Sequence, residues 1–157
     1  MISLAHDTTF EHIISAVPQQ DPFRFIDGLN YIDENRVSGY YSFNKTNPFY
    51  NGHFPGYPVT PGVILIEVMA QIGLVALGIY LLSLDMARNP LHQAVPVLAR
   101  TEIDFRRQVM PGEKVTVESE KILFRHKKLV CHTTLLNSAS EVVADGNITG
   151  FIFSKNQ

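Results

Sequence analysis

The chain has 157 residues, 45% of them hydrophobic, and a formal net charge of −2 at pH 7, which is enough for one core and short for two, so a single domain spanning residues 1–157 is expected. A pI near 6.3 lacks the basic footprint of a nucleic-acid binder. Cys131 is the only cysteine, which rules out an intramolecular disulfide and, with an opening (His6, Asp7, Glu11) unlike a secretory leader, suits a cytoplasmic setting.

In chain order, Thr8 to Ala16 reads as a short helix, with Thr8 and Glu11 spaced as a capping box and Phe10, Ile13 and Ile14 as a narrow apolar stripe. Pro18 to Pro22 is a turn. Phe23 to Ile32, kinked at Gly28, and Arg36 to Asn44 are expected strands. Residues 45–61 form a Pro/Gly loop, and residues 62 to about 84 a long apolar helix. Asp85 to Gln93 is a polar connector containing Pro90. Val95 to Phe105, Lys114 to Phe124, Lys127 to Asn137 and Glu141 to Phe153 are further strands. Val115, Val117 and Ser119, and again Val130, Thr134 and Leu136, show the alternation. Turns at Met110–Glu113, Arg125–His126 and Ser138–Ser140 make the last three an antiparallel meander. The economical architecture is α+β: an antiparallel sheet of about six strands wrapped around a long central α-helix.

The most informative stretch joins the loop to the helix. Asn51 to Gly62 holds three glycines and three prolines in twelve residues, with His53 among them. Such a backbone is rigid because proline pins φ while glycine permits conformations closed to other residues. Thr60 reads as the helix N-cap and Pro61 as its first residue. From Gly62 to Leu84 the single side chain charged at neutral pH is Glu67, and that length would also span a bilayer. Glu67 and Gln71 inside the segment, and the lack of basic or aromatic anchors before it, favour instead the buried helix of a soluble domain.

Histidine is the side chain best suited to proton transfer near neutral pH, and Glu67 among Ile64, Ile66, Val68 and Ala70 is a candidate acid. The helix start at Gly62 adds amides without intrahelical partners, at the positive end of the helix dipole, where a carbonyl oxygen gaining charge can be held. Each residue also has a plainer reading: His53 as a structural loop residue, Glu67 as the partner of an arginine elsewhere, and Gln71, one turn on, as the filler of a polar gap in place of a support for the carboxyl.

The segments Gly52-His53-Phe54-Pro55-Gly56, Pro58-Val59-Thr60-Pro61-Gly62-Val63 and Glu67-Val68-Met69-Ala70-Gln71 resemble the β-hydroxyacyl-[acyl carrier protein] dehydratases, which have the hot-dog fold. Pro22-Phe23-Arg24-Phe25-Ile26-Asp27 and Phe105 through Glu113 extend the resemblance, whose order and spacing hold over about residues 10 to 153. It implies that His53 and Glu67 are catalytic, contributed by different subunits of a homodimer, with a trimer of dimers as its larger assembly. It further implies that the Gly62 backbone N–H polarises the thioester carbonyl and that no cofactor is needed beyond the phosphopantetheine of acyl carrier protein, which carries the substrate. Because carrier proteins are acidic, Arg106 and Arg107, with Arg100 as a weaker candidate, are expected to form a docking patch, although a solvated strand end reads equally well.

Tyr57, where many members have an arginine, and Gln19-Gln20-Asp21, where many have a His-Arg-aromatic run, depart from the family pattern. They leave room for a specialised polyketide or aryl-polyene pathway beside fatty acid synthesis. The competing readings are a hot-dog thioesterase, against which the Gly-His-Phe-Pro-Gly loop argues, a dehydratase/isomerase, whose relatives usually carry Asp at the position of Glu67, and a silent acyl-binding partner subunit.

Overall fold

The computed structural model describes residues 2–85 and 94–154. In chain order the elements are α1 (Ile2–Ala16), β1 (Gly28–Ile32), β2 (Arg36–Ser42), a short α2 (Phe49–Gly52), the long helix α3 (Gly62–Ser83), β3 (Ala94–Phe105), β4 (Lys114–Arg125), β5 (Lys128–Leu136) and β6 (Val142–Ser154). The strands form one sheet of order β1-β2-β4-β5-β6-β3, antiparallel throughout. β4, β5 and β6 are the expected meander, while β3 joins the far side by pairing with β6 from Ala94↔Ser154 to Phe105↔Ala144 and so forms one edge of the sheet. This is the α+β hot-dog architecture expected above.

Side-chain alternation sets which face of the sheet receives the helix. β4 buries Val115, Val117 and Ser119, and β5 buries Leu129, Cys131, Thr133 and Leu135. In β5 the sequence alternates equally well in the other phase, Val130, Thr134 and Leu136, but those residues are only half-buried. The pairing Val117↔Leu135 and Ser119↔Thr133 fixes the phase, since a one-residue slip would turn every side chain to the opposite face. Across this face lies α3, burying Leu65, Val68, Met69, Ile72, Leu74, Leu77 and Ile79. Each such side chain contributes about 1.5–3 kcal/mol relative to exposure. By length and mean hydropathy, 2.2 over its most apolar stretch, α3 would suffice to cross a membrane, but 72% of that stretch is buried within the fold, as in the core helix of a sheet-wrapped domain.

Three local expectations change. α1 begins at Ile2, so Thr8 and Glu11 lie inside it and do not mark its start; no Gly or Pro interrupts residues 2–16 to begin it later. β1 begins at Gly28 and not at Phe23, because the backbone of Phe23 and Phe25 is bonded to the side chain of Gln71 and not to a neighbouring strand. α3 is α-helical over Gly62–Ala70, π-helical over Gln71–Ala76 and α-helical again over Leu77–Ser83, a widening that uniform hydrophobicity conceals. Within that turn Ser119 Oγ donates to the Gly73 carbonyl at 2.9 Å and lies 3.1 Å from Thr133 Oγ1, giving a buried carbonyl a partner. Finally, the connector placed at Asp85–Gln93 falls, after Asp85, outside the described residues.

Candidate active site

His53 follows α2, and its N–H donates to the Phe49 carbonyl at 3.0 Å. The loop after it is closed by its own backbone: Phe54 and Tyr57 exchange two bonds of 2.9 Å, and Val59 N–H donates to the His53 carbonyl at 2.9 Å. Gly56 supplies the one residue of this turn with positive φ, +76°, a conformation that glycine adopts without penalty. Thr60 N–H then reaches the Val109 carbonyl at 2.8 Å, tying the loop to the segment before β4. The proline and glycine content read from the sequence is therefore a set of specific backbone bonds around one histidine.

The His53 ring is half-buried and stacked on Phe54, with centroids 4.1 Å apart. Its Nδ1 is 2.9 Å from the Val59 carbonyl oxygen. A carbonyl only accepts, so Nδ1 carries the hydrogen and the neutral ring presents a bare lone pair at Nε2. The loop thus fixes the tautomer that a proton acceptor requires.

The helix start differs from the sequence expectation by one residue. Pro61 is the N-cap, with ψ of 137° and no side-chain cap bond, and its carbonyl accepts from the amides of Ile64 and Leu65. Thr60 does not cap because its Oγ1 is spent on the buried Tyr50 hydroxyl at 2.7 Å. Burial, opposed by that hydrogen bond, pushes the Tyr50 phenol above its ordinary range, so it braces the loop as a neutral group. Gly62 and Val63 occupy the first turn, ahead of the first intrahelical donors, where amides face outward at the positive end of the helix. A Cβ on Gly62 would lie 3.3 Å from Phe105 Cζ, so the end of β3 closes over the helix start.

Glu67 is half-buried one and a half turns on. Its Oε1 accepts from Gln71 Nε2 at 2.8 Å. Gln71 is fully buried, also donating to the Phe23 carbonyl at 2.9 Å and accepting from Phe25 N–H at 2.7 Å. It therefore supports the carboxyl and fills the polar gap at once. No hydrogen bond joins His53 to Glu67 among the described residues; the structure pairs each with its own support.

The three arginines read as a docking patch all have acidic partners. Arg106 binds Asp145 at 2.7 Å, Arg107 lies 3.5 Å from Glu141 and donates to the Val142 carbonyl, and Arg100 lies 3.4 Å from Glu102. These are surface pairs of small energy, but they offset the positive charge that the sequence alone suggests. Among the described residues, no group of three or more His, Cys, Asp and Glu side chains is placed to hold a metal ion. Sequence reading missed the Val59 carbonyl, the Phe23 and Phe25 backbone and Phe105. The first two act through main-chain atoms, which leave no residue-type signal.

Residues 17–147 match the FabA-like domain family. The chain belongs to this family. It is 32% identical over 151 residues to a 3-hydroxyacyl-[acyl-carrier-protein] dehydratase FabZ of Lawsonia intracellularis, a match covering 92% of each chain. A FabZ of Desulforamulus reducens is 38% identical over 110 residues, 69% of this chain and 72% of that one. Among solved structures, the dehydratase heterocomplex ApeI:P from Xenorhabdus doucetiae superposes with a TM-score of 0.75 at 15% identity over 92% of both chains. A hypothetical thioesterase with coenzyme A from Streptococcus pneumoniae gives 0.57 at 13% identity, covering 80% of this chain and 84% of that one. At such identities these structures speak for the shared fold alone.

Proposed function

We propose that this FabA-like chain eliminates water from (3R)-3-hydroxyacyl thioesters of acyl carrier protein, giving trans-2-enoyl thioesters, in the cytoplasm, for fatty acid synthesis or a specialised polyketide or aryl-polyene pathway. The observation that carries this reading is the His53 ring, whose Nδ1 is committed to Val59 and whose Nε2 is left as a base. In the reaction Nε2 takes the C2 proton, Glu67 protonates the departing C3 hydroxyl, and the Gly62 amide steadies the charge that builds on the thioester oxygen. The FabZ relatives are named for this reaction. The chemistry needs side chains, one helix end and the phosphopantetheine-borne substrate, with no further cofactor, and the acyl chain would lie along the apolar surface of α3.

The assembly that completes the site is a homodimer in which His53 of one subunit meets Glu67 of the other, with a trimer of dimers as its larger form. The edge position of β3 supports this reading, since its free side offers a template for a second strand, and Val97, Leu98 and Phe105 along it are 46–47% exposed. Arg106, Arg107 and Arg100 would receive the acidic carrier by exchanging their present carboxylate partners. The test is conversion of a 3-hydroxyacyl-carrier thioester to the enoyl form. His53→Ala and Glu67→Gln should each lower turnover by about 10²–10⁴-fold while leaving the fold intact, and wild-type rates in either variant would overturn the mechanism.

A further inference from the structure

We infer that Gln71 is a positioning residue that divides labour between the two oxygens of Glu67: Oε1 remains a hydrogen-bond acceptor throughout turnover, and Oε2 carries and delivers the proton. The inference rests on the dehydratase reading above and deepens it.

The partners of the Gln71 amide fix its orientation. Phe25 N–H can only donate, and it faces Gln71 Oε1 at 2.7 Å. The Phe23 carbonyl can only accept, and it faces Nε2 at 2.9 Å. A flipped amide would set donor against donor and acceptor against acceptor. One Nε2 hydrogen therefore belongs to Phe23, and the other points at Glu67 Oε1, 2.8 Å away. A carboxyl proton on Oε1 would confront that N–H, so the protonated acid holds its hydrogen on Oε2.

The donor is also fixed in space. Gln71 is fully buried and sits at the junction where α3 changes from α to π, its own N–H shared between the carbonyls of Glu67 and Val68. The segment it grips is anchored in turn: Arg24 Nη2 donates to the Ile14 carbonyl of α1 at 2.6 Å, and buried Phe25 meets the Tyr41 ring edge-on at 5.5 Å. The amide cannot follow Glu67 if the carboxyl turns, so it selects one carboxyl orientation.

During elimination the Oε2–H bond breaks and its proton joins the C3 hydroxyl, which leaves as water. The C2–H electron pair forms the C2=C3 bond, and the C2 proton goes to His53 Nε2. Glu67 ends one proton short and His53 one proton rich, and exchange with solvent restores both. As Glu67 becomes a carboxylate, its bond from Gln71 becomes charge-assisted and roughly twice as strong. The interaction therefore grows towards the transition state, and its loss should appear in kcat and leave substrate binding alone.

The experiment compares Gln71→Met, which keeps the volume and loses the donor, with Gln71→Glu, which keeps an acceptor for Phe25 N–H, using a 3-hydroxyacyl thioester of acyl carrier protein. For whichever variant melts within a few degrees of wild type, kcat should fall about 10- to 100-fold, the loss of a hydrogen bond to a charged group, with KM changed less than about threefold. Preserved kcat, or a rise in KM alone, would overturn the inference. In a Glu67→Asp background, whose shorter carboxyl withdraws from Gln71, the same substitution should cost less than about threefold; equal losses in the two backgrounds would mean that Gln71 acts through packing. Glu67→Gln is measured alongside, because its activity would sink the dehydratase mechanism itself, independently of Gln71.

Discussion

If His53 and Glu67 of one site come from two subunits, two inactive variants should restore each other. Take His53→Ala and Glu67→Gln chains, mixed and allowed to exchange subunits. In a two-fold dimer formed from both kinds of chain, one site combines the two substitutions and is dead. The other combines the intact His53 of the Glu67→Gln chain with the intact Glu67 of the His53→Ala chain, and is complete. For a fraction x of one variant, mixed dimers form with probability 2x(1−x) and half of their sites work, so activity per subunit should follow x(1−x) and peak at about a quarter of wild type at equal mixing. The assay is enoyl formation after subunit exchange, with exchange followed independently by native mass spectrometry of a tagged chain. The structure gives this test its force, because each residue is held within its own chain, His53 by Val59 and Glu67 by Gln71, so neither support is removed by the other substitution. Confirmed exchange with no activity at any mixing ratio would refute the composite site.

Burial pushes the Cys131 thiol from 9.0 up to about 11, so its thiolate is about a hundredfold scarcer at a given pH than in the unfolded chain; native protein should react with a disulfide reagent at least that much more slowly than unfolded protein, and rates within tenfold would contradict the burial. The same shift carries a sign for stability: a raised folded value means that the contribution is complete below about pH 9 and lost as pH rises through 11, so urea midpoints should fall over that interval and fall less in Cys131→Ala, with the Tyr41 and Tyr50 phenols, also pushed up by burial, accounting for part of the remainder. Gly73→Ala places a methyl 2.9 Å from Thr133 Cγ2 and 3.1 Å from Ser119 Cβ, where overpacking of about 1–3 kcal/mol exceeds the ~1 kcal/mol gain in helix propensity; its Tm should drop by a few degrees, whereas Gly52→Ala, which meets nothing within 4 Å, should not lower it, and equal melting points would show the contact to be slack. Arg106→Glu with Arg107→Glu should raise KM for a carrier-borne substrate several-fold at low salt and leave KM for a small-molecule thioester unchanged; equal effects on both would remove these residues from docking.

The fold was legible because it rests on side-chain periodicity. Alternation at Val115, Val117 and Ser119 marks a strand with one buried face, and the apolar run from Gly62 marks a helix that needs covering on most sides. The phase of β5 was not legible. Val130, Thr134 and Leu136 alternate as well as Leu129, Cys131, Thr133 and Leu135 do, and only pairing to β4 decides between them. The edges of elements failed for a related reason: β1 begins late because Gln71, 46 residues away from Phe25 in sequence, claims the backbone that would have extended it.

At the site, residue types announced the reacting groups, and main-chain atoms, which have no type, set how they act. Sequence pointed to His53, but the Val59 carbonyl decides which ring nitrogen is bare. Sequence pointed to Glu67, but the carbonyl of Phe23 and the amide of Phe25 decide how Gln71 meets it. Thr60 has the residue type of a cap and spends its hydroxyl on Tyr50 instead, which leaves the first turn of α3 to Pro61 and its open amides to whatever the site receives. The loop and the helix are therefore one device in a stronger sense than their adjacency in the chain suggests: the loop aims the Val59 carbonyl at the histidine, and Gln71 on the helix, held by the backbone of Phe23 and Phe25, aims an N–H at the carboxyl.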